Sequence, residues 1–197
     1  ITPLKDRFGA EIRTHYPVAL EDEIAVIRQE ADLRAEVPDY LVEILARFTR
    51  ALRDAYGRFA TGVTVVTAID PDGQPIGLTV NSFSAVSLHP QLVLWCLDNA
   101  SHNLEAFRRA SHHVINVLAA GQEDISTRFA TWPVDRFAGL AWHAGAGGAP
   151  LLPGCCARFE VANETWHAGG DHTIFVGRVE KFAATPALAP LLFHGGE

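Results

Sequence analysis

The run GVTVVTAI at residues 62–69, the interval Asp70-Pro71-Asp72-Gly73 and the run PIGLTV at residues 75–80 decide the architecture. β-Branched valines and threonines favour extended backbone. The interval between the runs carries the residues that reverse a chain, with Gly73 able to take positive φ. The three pieces therefore predict a β-hairpin.

Outward from the hairpin, LVLWCL at residues 92–97 is apolar enough to predict a strand buried on both faces. SHNLEAFRRA at residues 101–110 reads as a short helix capped by the Ser101 hydroxyl, and HHVINVLA at residues 112–119 returns to a strand pattern. QEDISTRFA at residues 122–130 reads as another short helix, and residues 132–153, rich in Gly, Ala and Pro, as loop. RFEVANET at residues 158–165 and TIFVGRVEKF at residues 173–182 predict two further strands. Five or more strands with short links and few helices make a mainly β fold with some α, a closed or partly closed barrel.

Upstream the period changes to that of a helix. EDEIAVIRQEADLRAE at residues 21–36 sets Ile24, Ile27 and Leu33 among charges, with acidic residues at its start. Pro38-Asp39 offers a second helix start, after which Leu41, Ile44, Leu45, Phe48, Leu52 and Phe59 form an apolar stripe. The expected organisation is a helical extension over residues 1–48 and a barrel domain over residues 49–197.

The composition is that of a globular domain, 48% hydrophobic and 20% charged. A formal charge of −7 argues against nucleic acid or an anionic membrane as partner. No run approaches the roughly 18 apolar residues of a spanning helix, and no apolar segment follows a basic start. A cytoplasmic protein is expected, and the opening on Ile1 rather than Met is compatible with trimmed termini. Cys96, Cys155 and Cys156 form an odd set whose adjacent pair is poorly placed to bridge, so free thiols are expected. Nine histidines come without HExxH or CxxC, and neighbouring His112 and His113 would point to opposite strand faces, so no metal site is expected.

Several segments fit two uses each. Residues 145–150, GAGGAP, lack GxGxxG and its strand-then-helix context, and read as a plain surface loop. Residues 77–84, GLTVNSFS, run from a strand into small polar side chains. They suit either a turn that satisfies its own backbone or hydrogen bonding to a flat polar ring edge through Thr79, Asn81 or Ser82. Ser101, His102 and Asn103 suit a plain helix cap or a phosphate site. Asp171 and His172 suit a tight turn or a ligand contact.

The ordered string ATGVTVVT (60–67), GLTVNSFSAVSLHPQLVLWCLDNASHN (77–103), VINVL (114–118) and GGDHTIFVGRV (169–179) resembles the short-chain flavin reductases of two-component flavin-dependent monooxygenases. The likeness spans about residues 48–196. It implies an FMN-binding split β-barrel, a homodimer, FMN or FAD as flavin, and NADH or NADPH as hydride donor. It also implies a separate oxygenase component as the recipient of reduced flavin.

By position, the resemblance sets Pro75, Ile76, Gly77, Leu78 and Thr79, with Asn81 and Ser82, along the isoalloxazine. Cys96, Leu97 and Asp98 flank the ribityl chain, and Ser101, His102 and Asn103 meet the phosphate. Arg128 and Phe129 close over the flavin. His172, with the terminal Phe193, His194, Gly195 and Gly196, matches positions associated with nicotinamide. Two departures stand out: His194 and Gly195 occupy a segment often aromatic and basic, and His89-Pro90 replaces a more usual Pro-Pro pair. Hydride transfer between stacked rings asks the protein mainly for orientation and water exclusion, which accounts for a sequence with no nucleophile triad or carboxylate pair. Two other readings remain at this stage: a split-barrel oxidase or oxygenase that keeps its flavin, and a non-enzymatic flavin-binding protein whose extension docks a partner.

Overall fold

The structure is a computed structural model that describes residues 19–31, 37–131 and 135–195. Two helices come first, α1 (Leu20–Ala31) and α2 (Asp39–Gly57). The barrel unit follows in the order β1 (Thr61–Gly62), β2 (Thr64–Ile69), β3 (Pro75–Val80), β4 (Ser84–Leu88), β5 (Gln91–Asp98), α3 (Leu104–Arg109), β6 (His112–Val117) and α4 (Glu123–Ala130). It ends with β7 (His143–Ala144), β8 (Pro150–Leu151), β9 (Ala157–Gly169), β10 (His172–Ala184) and β11 (Leu192–Phe193). The chain forms two compact units that divide between Ala60 and Thr61, the barrel running to Phe193. Residue 48, where the sequence suggested the barrel domain would begin, lies inside α2.

Seven strands form one antiparallel sheet in the order β3-β2-β6-β9-β10-β5-β4. The hairpin reads out as expected, with β2 on β3 from Thr64↔Val80 to Ile69↔Pro75. Its turn is held by the Asp70 carboxylate, which accepts from the Asp72 and Gln74 amides, while Gly73 takes φ 79°. Residues from both halves of the strand order meet in one core: Val66, Ala68 and Val80 with Val93, Trp95, Leu97 and Phe175. The sheet thus curls on itself, and α3 plugs the interior with Leu104 and Phe107. Trp95 stacks on Phe175 at 4.5 Å, and Phe107 and His113 approach Trp95 edge-on at 5.1 and 5.4 Å. Offset and edge-on contacts of this kind each add to plain area burial.

A second cluster lies under α4: Val63, Val65, Leu118, Phe129 and Leu152, with Phe193 packed against it. Buried Asn116 ties it to the sheet, its amide donating to the Val65 and Pro150 carbonyls and its carbonyl accepting from the Leu152 amide. Residues 145–150 are therefore more than a surface loop. Ala149 and Pro150 are buried, and the Ala146 amide donates to the Glu160 carboxylate at 2.6 Å.

Other details also depart from the sequence reading. β5 alternates between buried and half-buried residues instead of being covered on both faces, because Val93, Trp95 and Leu97 on one face enter the barrel core while the alternate residues face away from it. β4 itself and the β1–β11 pairing were not foreseen. Within the first helical stretch α1 ends at Ala31, and Leu33 lies outside the described residues. In the helical unit, Val42 and Ala46 of α2 are buried and Arg53 donates to nearly buried Glu23 at 2.8 Å.

Candidate functional site

Edge position is the first property of the site. β3 has β2 on one side only, so a row of its backbone N–H and C=O groups has no strand beside it. α4 sits over this strand: the Thr79 hydroxyl donates to the Ser126 carbonyl at 2.7 Å, and Arg136 Nη1 donates to the Gly77 carbonyl at 2.6 Å. Gly77 is needed for that approach, since a β-carbon there would stand 2.8 Å from Phe129 Cε1. Burial lowers the Arg136 guanidinium pKa.

Where β3 ends, Ser82 clasps β5. Its Oγ accepts from the Cys96 amide at 2.9 Å and donates to the Cys96 carbonyl at 3.2 Å, fastening the barrel where its two edges approach. Burial pushes the Cys96 thiol up, against the Ser82 hydrogen bond, so the thiol stays protonated near neutral pH.

From Cys96, β5 runs to Asp98 and into a turn. The Asp98 carboxylate accepts from the Ala100 amide at 2.8 Å, and the Ser101 hydroxyl accepts from the Asn103 amide at 3.3 Å. Ser101 is thus a turn residue three positions before α3, and the N-cap is Asn103 with no side-chain capping bond. This corrects the expected Ser101 cap: the hydroxyl bonds within its own turn.

The His172 turn is stitched to this one. His172 stands opposite Asp98 in the β5–β10 register, and the Asn99 amide donates to the Asp171 carbonyl at 2.9 Å. The Asn99 side-chain amide donates to the Gly170 carbonyl, while its carbonyl accepts from the Thr173 hydroxyl at 2.7 Å. His172 Nδ1 meets the Asp171 carboxylate at 2.8 Å, which fixes the ring and lowers the Asp171 pKa through that hydrogen bond. The His172 side chain remains 44% exposed.

Pro75, Ile76, Leu78, Thr79 and Ser82 are half-buried along the edge, Asn81 and His102 exposed, and Cys96, Asp98, Ser101 and Asn103 half-buried. The groups brought together by hydrogen bonding and register are Ser82, Cys96, Asp98, Ser101, Asn103 and His172. Leu97 and Phe129 stand apart. Leu97, which the resemblance set beside the ribityl chain, belongs to the barrel core, and Phe129 to the cluster under α4, both with buried side chains. Arg128 is committed as well, donating to the Arg136 carbonyl at 2.7 Å and to the Ala138 carbonyl. Phe193 pairs with Thr61, His194 and Gly195 group with the helical unit, and Gly196 lies outside the described residues.

Two arginines were missed. Arg108 lies 4.2 Å over the Trp166 ring and donates to Thr173 beside His172 at 3.0 Å. Arg136 caps β3, as above. Their partners come from distant strands, and in the sequence Arg108 is one of two arginines that end LEAFRR while Arg136 lies in the loop after α4. Among the described residues no group of three or more His, Cys, Asp or Glu side chains could hold a metal ion.

A split β-barrel whose open edge strand adjoins a serine- and asparagine-bearing turn and a carboxylate-oriented histidine is the class that this fold and site define. The chain belongs to the flavin reductase-like family, whose domain model matches residues 56–197. It is 48% identical over 148 residues to the NADH-dependent FMN reductase SmoA of Agrobacterium fabrum, covering 75% of this chain and 83% of that protein. It is 46% identical over 135 residues to the reductase component of a flavin-dependent trigonelline monooxygenase of Acinetobacter baylyi, covering 68% of this chain. The chain spans only 44% of that relative's length. The solved NADH:FAD oxidoreductase SgcE6 of Streptomyces globisporus, in complex with NAD and FAD fragments, superposes with a TM-score of 0.72 at 39% identity, covering 83% of this chain and 94% of that one.

Proposed function

We propose that this chain is an NAD(P)H:flavin oxidoreductase that takes hydride from NADH or NADPH and supplies reduced FMN or FAD to a separate oxygenase. The observation that carries the reading is the open β3 edge, running through Asn81 and Ser82 to the clasp on Cys96, beside the turns of Ser101 and His172. The donor set fits a flavin. Its pyrimidine edge alternates donors and acceptors, which an unpaired strand edge matches, and the Ser101 hydroxyl and Asn103 carboxamide suit a phosphate.

A bound flavin supplies the redox chemistry; the residues supply placement. In this proposal the backbone of Thr79 and Ser82, with Asn81, fixes the ring edge, Cys96 and Asp98 border the ribityl chain, and Ser101, His102 and Asn103 hold the phosphate. His172, its Nδ1 tied to Asp171, presents Nε2 to the nicotinamide carboxamide. Holding the rings in contact and shedding water account for the acceleration. The same reading includes a homodimer, a helical extension ahead of the barrel and a cytoplasmic setting. Supporting the last, the three cysteines are free, and no helix among the described residues is long and apolar enough to cross a membrane.

Steady-state oxidation of NADH and NADPH with and without added FMN or FAD tests the proposal. Turnover that depends on added flavin is expected. Nucleotide oxidation that is independent of added flavin, or none at all, contradicts it.

A further inference from the structure

His172 and Thr173 are neighbours on β10 that point to opposite faces. In register with core residue Leu97, Thr173 turns inward and is buried, whereas His172, opposite Asp98, lies on the other face. Arg108, near the end of α3, reaches Thr173 from the inner side. Its Nη2 donates to the Thr173 hydroxyl at 3.0 Å and its Nη1 to the Glu105 carboxylate at 2.7 Å, while the guanidinium lies 4.2 Å over the Trp166 ring. Arg108 Nε is buried and has no hydrogen-bond partner among the described residues. A buried donor left unpaired costs stability, so packing alone does not explain an arginine here.

We infer that Arg108 is a positioning residue for the hydride step, holding His172 in place from behind through Thr173 and Asn99. The chain of bonds has a direction. A guanidinium only donates, so its bond to the Thr173 oxygen obliges that hydroxyl to turn its own proton elsewhere. The proton goes to the Asn99 side-chain carbonyl at 2.7 Å, and the Asn99 side-chain amide is thereby set to donate to the Gly170 carbonyl at 3.2 Å. The Asn99 backbone N–H adds a bond to the Asp171 carbonyl at 2.9 Å. Gly170, Asp171 and Thr173 bracket His172, and all three are tied to Asn99. Without the arginine the Thr173 hydroxyl is free to rotate and the Asn99 amide to reverse, which releases Gly170. Asn99 leads through the Ser101 turn into α3, so the bonds close a loop back to Arg108. The planar fork suits this place, since one group stacks on Trp166 while it donates to two partners.

The inference rests on the flavin reductase reading above, and variants compared with the native full-length chain separate the two. Arg108→Met keeps the side-chain length and removes every donor. It is expected to slow anaerobic flavin reduction and raise the nucleotide KM, each about 10-fold, with flavin affinity and melting temperature unchanged. Arg108→Lys, still a donor, is expected to recover part of the rate. Thr173→Val removes the hydroxyl with little change of shape and tests the same link independently. Combined with Arg108→Met it is expected to lose no more than either alone, because both break one chain of bonds. In both single variants the His172 ring proton signals, identified by their loss in His172→Ala, are expected to shift or broaden. Native rates and nucleotide KM per folded chain in the two variants, whatever their melting temperatures, overturn the inference and leave the reading standing. So does a loss that falls on flavin affinity instead of the nucleotide. A native chain that oxidises no nucleotide in the presence of flavin removes the reading itself, and this inference with it.

Discussion

Ser82 holds Cys96 by both of its backbone groups, the hydroxyl accepting from the amide at 2.9 Å and donating to the carbonyl at 3.2 Å. One side chain thereby joins the end of the open strand β3 to β5, along which the proposed ribityl and phosphate contacts follow. Ser82→Ala leaves a half-buried amide and carbonyl without that partner. It is expected to cost about 1–2 kcal/mol of stability and to raise the flavin KM, with Ser82→Thr recovering much of both. Urea denaturation beside flavin titration reads the two effects.

Gly77→Ala tests the seating of α4 on the open edge. The new methyl would stand 2.8 Å from Phe129 Cε1 and 3.1 Å from Thr67 Cγ2, with Phe129 fully buried and unable to swing aside. A loss of about 1–3 kcal/mol is expected from overpacking, with weaker flavin binding as β3 shifts. Thermal melts and flavin affinity check it; an unchanged protein would mean that α4 is loosely held.

His113 sets a pH dependence of stability. Its ring is buried among Trp95, Phe107 and Phe175 and bonded to the Phe107 carbonyl, and desolvation lowers its pKa from 6.5 to about 4. Between those values the unfolded chain binds more protons than the folded one. The contribution is therefore complete above about pH 6.5 and is lost as pH falls towards 4, on the order of 3 kcal/mol in all. Denaturation curves over that range should show the slope, and His113→Phe should flatten it.

Ser101→Ala with Asn103→Ala is expected to raise the flavin KM roughly 10-fold while leaving the rate at saturating flavin almost unchanged, because phosphate contacts are alike in ground and transition states. A fall in the saturated rate with unchanged KM would remove these residues from the phosphate site.

His172→Ala is expected to slow flavin reduction and weaken nucleotide binding with flavin affinity nearly intact, since a misplacement of about 1 Å can cost on the order of 100-fold. Asp171→Asn should give a milder form of the same change, as it loosens the ring without removing it. Loss of flavin instead would assign His172 to the other ligand.

The hairpin of β2 and β3 was legible because its signals are local: β-branched residues, an Asp-Pro-Asp-Gly turn and a return run. The β1–β11 pairing was not, since Thr61 and Phe193 meet from opposite ends of the barrel unit and two-residue strands carry no periodic signal. β4 was hidden by its serines and its exposure. At the site, Ser101, His102 and Asn103 stood out as polar residues at a helix start, though Ser101 bonds within its own turn instead of capping, whereas Arg108 and Arg136 act on distant strands. Phe129 is instructive. Its spacing of four from Ile125 marks the apolar face of α4, and that face turns into the cluster beneath, whereas the resemblance set Phe129 over the flavin.

Anaerobic stopped-flow mixing of the purified chain and FMN or FAD with NADH or NADPH tests the central claim most directly. The account predicts rapid bleaching of the flavin absorbance with one of the nucleotides, saturating in nucleotide and slowed in His172→Ala. Flavin that binds but is reduced no faster than in free solution would contradict it.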